Sequence, residues 1–414
     1  MISVERFIQI IDELLLNKFL LHSFQFYPHF STQIQNLRLT IETYNRHLGR
    51  CIWWHEEPLN SIDLDDLQWV YVPRPNKYSF HNPTFSTEID FSFPEVFPVG
   101  ESSMFCFFHD INFQLFANSE KSDLKKQWLK QYPLLDWYFF FHGFAALDWF
   151  RDFKYLNNST AKFTKVFICL NHNIKNNRSY RIHLLSELRS RQVESAGFIS
   201  APMLSQKVIK QELMDPNSRL SLDAKKHIYS NLLPTAESIE LEQVNYNDAS
   251  ANISPFLPQA LWSIVTETVY YDEKLHLTEK IFKPIVSQRP FILVAAPGNL
   301  AYLKSYGFKT FDRWIDESYD DEHDPDCRMQ KISAEIEKLC KLPWHELMAM
   351  YQEMQDILAY NYQHFYGDFR TIIVNELVDN FEVCTKIYNL NKSERFRLPV
   401  ENINFEQVKK VLLQ

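Results

Sequence analysis

The sequence predicts an α/β fold built from two Rossmann-like, doubly wound lobes followed by a C-terminal helical extension. Three observations predict this fold. Unbroken apolar runs such as residues 165–170 and 291–296 are typical of strands that are buried on both faces. Helical patterns follow these runs, and the alternation of strands and helices is typical of a parallel sheet. Further helical patterns then fill the chain beyond residue 345.

The chain divides into three predicted domains. Its length of 414 residues suggests two or three domains. The first α/β lobe is predicted at residues 1–158, because the polar run at 157–160 is the best linker candidate. The second lobe is predicted at residues 159–345. The helices of residues 346–414 are expected to brace the first lobe in part.

Composition and charge narrow the class of protein. The formal net charge is -9, so overall attraction to nucleic acid or anionic lipid is not expected. The 6 cysteines are scattered without a CxxC pair, which argues against a zinc site and a disulfide framework and fits a reducing compartment. The apolar N-terminal run contains acidic residues and is predicted to be an amphipathic helix rather than a signal peptide or a membrane span. The chain has only 7 glycines, so each is expected where a side chain is not tolerated.

The first lobe offers candidate bases at the ends of two predicted strands. Residues 104–108 form an apolar run that ends at His109 and Asp110, and residues 138–141 form another that ends at His142. A helix is predicted at residues 145–153. Abstraction of a proton from a hydroxyl needs a base with a pKa near neutral, which a histidine or a carboxylate can supply. We therefore predict His142 or Asp110 as the catalytic base, with a capped, purely structural histidine as the alternative.

Two groups of residues invite a metal interpretation. His109, Asp110 and His142 could bind a metal, but their spacing matches no metal motif. The acidic run at residues 316–326 could bind a divalent cation, but such a run is more often a solvated loop. We predict no metal site.

The second lobe opens with a predicted strand at residues 165–170, a polar loop that begins with Asn171, and a helix at 178–191. Arg178 and Arg181 are three residues apart and so share one face of that helix. Two guanidinium groups there could clamp a diphosphate through paired hydrogen bonds. The alternative is a solvated helix with ordinary surface arginines.

A second helix start follows the predicted strand at residues 262–270. Thr278 is its predicted N-cap, and Glu279 and Lys280 lie in its first turn, outside the carboxyl end of a strand, where open sheets bind ligands. Backbone N–H groups and a lysine suit a diphosphate, and a glutamate can accept the hydroxyl protons of a ribose. Glu267 lies near the strand end and could bind a sugar hydroxyl. The alternatives are a capped surface helix and an edge-strand charge.

Two stretches carry a resemblance to a known family. They are FICLNHNIKNNRSYRIHLLSEL at residues 167–188 and HLTEKIFKPIVSQRPFILV at 276–294. Their order resembles the nucleotide-sugar half of two-domain, GT-B-type glycosyltransferases, in particular the α-1,3-fucosyltransferase type. The run LKSYGFKTFDRWIDESYD at residues 303–320 resembles uncharacterised glycosyltransferase-like proteins of bacteriophages and large viruses. The likeness covers residues 162–345. The chain departs from the family pattern at His276 and at Gln288–Arg289.

The resemblance implies a GT-B-like glycosyltransferase that moves a sugar from a nucleoside-diphosphate sugar to a hydroxyl of a glycan or another acceptor. It implies inversion at the anomeric carbon and no cofactor beyond the sugar nucleotide. The second lobe would hold the donor and the first lobe the acceptor. Carried over by position, Arg178 would contact the diphosphate, Glu279 the ribose, Lys280 a phosphate and Glu267 the sugar.

Two other functions remain open. A viral transferase that glycosylates hydroxymethylated DNA bases would need a basic groove despite the net charge of -9. A non-catalytic protein that binds sugar nucleotides would show no turnover. In each case we expect a cytoplasmic protein, in the host cell if a phage or virus encodes it.

Overall fold

The computed structural model describes residues 7, 10, 20–24, 50–55, 78–82, 87–91, 113–118, 120–129, 135–152, 162–241, 254–390 and 400–414. The chain forms two compact units. The first unit is Met1–Phe144 with Ile373–Gln414, and the second is Ala145–Ile372. The domain limits inferred from the sequence stay predictions. The helices of the described residues include none long and apolar enough to cross a membrane.

The first unit contains a parallel sheet of four strands in the order β1-β2-β5-β6. Strands β3 and β4 form a separate antiparallel pair. The strands are β1 (Leu20–Phe24), β2 (Arg50–His55), β3 (Tyr78–Asn82), β4 (Thr87–Phe91), β5 (Phe113–Asn118) and β6 (Leu135–Tyr138). The helices of this unit are α1 (Asp123–Leu129), the first residues of α2 (Phe141–Asp152), the end of α11 (Asp368–Leu390) and all of α12 (Phe405–Leu413). The rest of α2, from Ala145, belongs to the second unit.

Strand β6 packs on helix α11 inside the first unit. The indole of Trp137 is fully buried and donates to the carbonyl oxygen of Leu377 at 3.1 Å. Its ring lies 5.3 Å from that of Phe381 and 5.7 Å from that of Phe7. Helix α11 therefore supplies part of the core of the unit that the N-terminal strands form.

The strand predicted at residues 138–141 is placed differently in the structure. Strand β6 ends at Tyr138, and helix α2 begins at Phe141, so His142 lies in the first turn of a helix rather than at a strand end. The apolar run at residues 138–141 did not reveal where the strand ends and the helix begins, because a buried strand and the buried first turn of a helix can have the same apolar composition. The predicted strand at residues 104–108 lies outside the described residues, as does Asp110.

The second unit contains a parallel sheet of four strands in the order β10-β9-β7-β8. The chain is thus an α/β protein with parallel sheets, as the sequence predicts. The strands are β7 (Lys165–Leu170), β8 (Gly197–Ser200), β9 (Ala260–Thr266) and β10 (Phe291–Val294). The helices are α3 (Tyr180–Ser190), α4 (Gln206–Met214), α5 (Leu222–Asn231), α6 (Glu279–Val286), α7 (Asn299–Ser305), α8 (Pro325–Lys341), α9 (Trp344–Glu353) and α10 (Gln355–Tyr366), followed by the start of α11.

Helix α6 is held on the core of the second unit by aromatic packing. The ring of Phe282 lies 5.2 Å from that of Phe365 and 5.3 Å from that of Phe369. All residues of strand β9 are buried. The apolar face of α6 therefore fixes the helix, and the first turn of the helix follows the loop that leaves the end of β9.

Candidate functional site

The strand order of the second unit contains a topological switch point between β7 and β9. Strand β7 connects through α3 to β8 on one side of the sheet, and β9 connects through α6 to β10 on the other side. The loops after β7 and β9 therefore leave in opposite directions, and in open parallel sheets a crevice forms at such a point. Ligands of open parallel sheets bind in such crevices. The 38% exposed side chain of Leu170, at the end of the central strand β7, fits such an opening.

The β7 side of this switch point carries Asn171, His172 and Arg178. Asn171 is fully buried, its amide nitrogen lies 3.2 Å from Cys169 Sγ, and its side-chain oxygen has no hydrogen-bond partner among the described atoms. His172 is exposed and Arg178 is half-buried. Burial, and then the positive charges of Arg181 and Arg178, lower the pKa of His172. The segment after β7 therefore carries a cationic side chain, Arg178, within electrostatic reach of His172.

Arg181 lies in a different environment from Arg178. Its side chain is buried, and its guanidinium donates to backbone carbonyls. Nη1 donates to Asn173 O at 2.8 Å, and Nη2 donates to Thr266 O at 2.7 Å and to Glu267 O at 3.2 Å. Arg181 therefore joins the loop after β7 to the end of β9 through hydrogen bonds to both.

The β9 side of the switch point brings Glu267, Thr278, Glu279 and Lys280 together. Glu267 is fully buried, and its carboxylate accepts hydrogen bonds from Thr278 N at 3.2 Å and from Thr278 Oγ1 at 2.5 Å. Lys280 Nζ donates to Thr278 Oγ1 at 3.0 Å and to Glu279 Oε1 at 3.1 Å. Burial raises the pKa of Glu267, while Lys280 and the hydrogen bonds from Thr278 lower it. The four residues form one hydrogen-bonded group.

Thr278 is the N-cap of α6, as the sequence predicts. Its Oγ1 accepts from Lys280 N at 3.5 Å, a long hydrogen bond. The cap and the Glu267 carboxylate together occupy backbone N–H groups that the sequence interpretation had assigned to a phosphate. An anion at this helix start would therefore be held mainly by side chains, and Lys280 is the positively charged side chain of the first turn.

Three buried carboxylates satisfy the first N–H groups of helical segments in the second unit. Each lies between 11 and 36 positions from the N–H group that it satisfies, so the protein itself supplies the negative charge that suits a helix start. The pairs are Glu212 with Asn176 N–H, Glu267 with Thr278 N–H, and Asp320 with the N–H groups of Leu300 and Ala301. Burial raises the pKa of Glu212 and of Asp320, and the hydrogen bonds oppose that rise.

A pair of tyrosines connects the two sides of the switch point. The hydroxyl of Tyr180 donates to the carbonyl oxygen of Glu267, and the hydroxyl of Tyr271 lies 3.1 Å from Ser179 Oγ. The ring of Tyr180 also stacks on that of Tyr270 at 4.3 Å. The predicted donor-binding residues therefore lie on loops that are rigidly joined to each other.

Several polar side chains, among them Lys121, Glu376 and His142, lie near the carboxyl end of strand β6 in the first unit. Lys121 Nζ lies 4.2 Å from the centre of the Tyr138 ring, and Glu376 accepts a hydrogen bond from Phe140 N at 3.1 Å. Burial is the main cause that lowers the pKa of Lys121. His142 is half-buried, and its ring packs edge-on against that of Phe141 at 5.1 Å. The candidate base His142 is thus near the end of β6, while Asp110 lies outside the described residues.

The acidic run at residues 316–326 was expected to be a solvated loop. In the structure, two of its carboxylates instead accept hydrogen bonds from the first N–H groups of helices. Asp320 is buried and holds the start of α7, while Asp324 caps α8 by accepting from Asp326 N and Cys327 N. Within the part of the chain that the structure describes, no group of three or more His, Cys, Asp and Glu side chains could hold a metal ion.

The sequence interpretation missed Tyr180, Tyr271 and Glu212. Tyr180 had a local signal, because it directly precedes Arg181 in the first turn of a helix that leaves a strand end. Glu212 had none, because it reaches Asn176 from a helix 36 positions further along the chain.

The chain was compared with known proteins at three levels. No protein-family model, curated protein or solved structure matches it.

Proposed function

We propose that the protein is a glycosyltransferase of the GT-B type that transfers a sugar from a nucleoside-diphosphate sugar to an acceptor hydroxyl, with inversion and without a metal. One observation carries the proposal. At the switch point, Arg178 lies in the segment that follows β7, and Lys280 lies in the first turn of α6, which follows the loop after β9. Two cationic side chains on opposite sides of such a crevice suit the diphosphate of a sugar nucleotide.

The proposed chemistry places charge stabilisation in the second unit. As the bond to the sugar breaks, negative charge develops on the diphosphate, and Arg178 and Lys280 stabilise it. Glu279, which pairs with Lys280, accepts hydroxyl protons of the ribose. Asn171 and Arg181 position the loop that carries Arg178. His142 or Asp110 of the first unit deprotonates the acceptor hydroxyl. The protein acts in the cytoplasm, that of the host if a phage or virus encodes it.

The test is a thermal-shift screen of ADP, CDP, GDP, UDP and their sugar derivatives. A ligand that binds only the native state at one hundred times its Kd adds about 2.7 kcal/mol of stability, so the unfolding midpoint rises by several degrees. We expect one nucleotide series to give this shift in the wild type, and Arg178→Met and Lys280→Met to lose it. Lys226→Met is the matched control, because Lys226 is an exposed lysine whose one ionic partner among the described residues is Asp223 on α5. The proposal fails if none of these ligands shifts the midpoint.

Turnover separates the transferase from a protein that only binds sugar nucleotides. The sugar nucleotide that gives the largest shift is incubated with a panel of hydroxyl acceptors, and the release of nucleoside diphosphate is measured. Acceptor-dependent release supports the transferase. Binding without release for any acceptor would favour the non-catalytic alternative.

A further inference from the structure

Glu267 and Thr278 form a two-point contact that fixes the direction of the Thr278 hydroxyl. Glu267 Oε1 accepts from Thr278 N, and Glu267 Oε2 accepts from Thr278 Oγ1. A threonine hydroxyl has one hydrogen and two acceptor lone pairs. Because the hydrogen is committed to the carboxylate, the lone pairs of Oγ1 are left to face other donors.

Two donors of one residue meet them, the backbone N–H of Lys280 at 3.5 Å and the ammonium of Lys280 at the shorter distance. Lys280 Nζ lies 3.0 Å from Thr278 Oγ1, and its second contact is Glu279 Oε1 at 3.1 Å. A hydroxyl that donates to a carboxylate becomes a stronger acceptor, since hydrogen bonds in a chain polarise one another. Lys280 is half-buried, with 32% of its side chain exposed.

Glu267 itself is out of reach of a ligand in this arrangement. Its side chain is 0% exposed. Its backbone carbonyl is also held, because it accepts from Tyr180 Oη and Arg181 Nη2. A sugar could contact the carboxylate only after the start of α6 had moved away. Glu267, which the sequence predicts to lie near the donor sugar, can therefore affect the donor only through the residues that it contacts.

We infer that Glu267 is a positioning residue that acts through Thr278 to hold the ammonium of Lys280 where it meets the diphosphate of the donor. This inference rests on the proposed function, because that function makes Lys280 a phosphate ligand. In this arrangement Glu267 does not recognise the sugar directly. Its buried carboxylate fixes the Thr278 hydroxyl, and that hydroxyl fixes the ammonium of Lys280; we call this chain of contacts the relay.

A double-mutant cycle tests the relay. The variants are Thr278→Val, Lys280→Met, the double variant and Thr278→Ser, and the probe is whichever of ADP, CDP, GDP and UDP binds the wild type most tightly. We expect Thr278→Val to weaken binding by about tenfold, because the orientation of a charged phosphate contact is lost. In the Lys280→Met background the same change should have no effect. Thr278→Ser keeps the hydroxyl and should restore binding. Equal effects of Thr278→Val in both backgrounds would overturn the relay, since a cap that only stabilises the helix acts independently of Lys280.

A second measurement needs no nucleotide and separates the two proposals. The rate at which an amine reagent labels Lys280 is followed by mass spectrometry, with the exposed Lys226 as the internal reference. The relay predicts faster labelling in Thr278→Val and in Glu267→Gln than in the wild type and Thr278→Ser. An unchanged rate in both variants refutes the relay. If labelling changes as expected while no nucleoside diphosphate binds the wild type, the relay stands and the proposed function falls.

Discussion

The guanidinium of Arg181 donates to the backbone carbonyl of Thr266 at 2.7 Å, so a buried cation satisfies the carbonyl oxygen of the last residue of the central strand β9. Removal of the guanidinium leaves buried carbonyl groups without a donor, which costs about 1–3 kcal/mol for each unsatisfied group. We expect Arg181→Met to lower the free energy of unfolding by about 3 kcal/mol, measured by urea denaturation at pH 7.

Arg178→Met is the matched variant, because Arg178 lies three residues earlier but is only half-buried. Its free energy of unfolding should stay within about 0.5 kcal/mol of the wild-type value, as for most surface changes. Its affinity for the nucleoside diphosphate should fall by about tenfold or more, measured by calorimetric titration. The assignment is wrong if Arg178→Met unfolds more easily than Arg181→Met, or if it binds the diphosphate as the wild type does.

Gly197 faces the ring of Phe167 in the neighbouring strand. A Cβ at position 197 would lie 2.2 Å from Phe167 Cε2, although the backbone of Gly197 is extended and would accept any residue. We expect Gly197→Ala to destabilise the second unit by about 1–3 kcal/mol through overpacking. Phe167→Leu frees space, so the double variant should lose less stability than the sum of the two single variants. Simple additivity in urea denaturation would exclude this clash as the cause.

The parts of the second unit that local chemistry determines could be predicted from the sequence. Strand β7 has the predicted limits, and helix α6 begins after its predicted cap Thr278. Both depend on patterns that a short window contains, namely an apolar run and a hydroxyl residue before a helix. The glycine at position 197 was likewise expected to exclude a side chain, and the neighbouring ring gives the reason.

The roles of charged side chains could not be predicted in the same way. Arg178 and Arg181 have equivalent positions in a helical pattern, but only the fold shows that Arg181 turns inward onto strand carbonyls. Glu212 and Asp320 occupy helix starts from positions distant in sequence, and no local signal marks such a partner. The switch point itself depends on the order of strands in the sheet, which periodicity does not contain.

The pH dependence of stability should depend on Glu187 of helix α3. Its carboxylate accepts from Arg191 Nε at 3.1 Å and lies 3.3 Å from His227 Nε2 and 3.6 Å from His183 Nε2. Burial alone would raise the pKa of Glu187, but the contacts with His183, His227 and Arg191 outweigh burial and lower the pKa to about 2. A carboxyl group with a lowered pKa contributes stability above the pKa of its unfolded state, and this contribution is lost as the pH falls towards the folded pKa.

We therefore expect Glu187→Gln to lower the free energy of unfolding by about 2–3 kcal/mol at pH 7. The difference between wild type and variant should persist down to about pH 4.5 and shrink as the pH falls further towards 2. Urea denaturation of both proteins at pH 7, 5 and 3.5 measures it. A difference that stays constant over this range would mean that the charge of Glu187 is not the source of its contribution.

The last prediction concerns the catalytic base that the proposed function requires. His142 lies in the first turn of α2, close to the carboxyl end of strand β6, and Asp110 is the other candidate. Removal of a general base costs about 100-fold to 10,000-fold in rate without changing the affinity for the donor, because the base acts on the acceptor. We expect His142→Gln to lower kcat to this extent with an unchanged Kd for the nucleoside diphosphate, and to remove the acidic limb of the plot of kcat/KM against pH. Asp110→Asn is the parallel variant. If both variants keep wild-type kcat and the wild-type pH profile, the base is neither residue, whereas the diphosphate site at Arg178 and Lys280 can still be judged from binding alone.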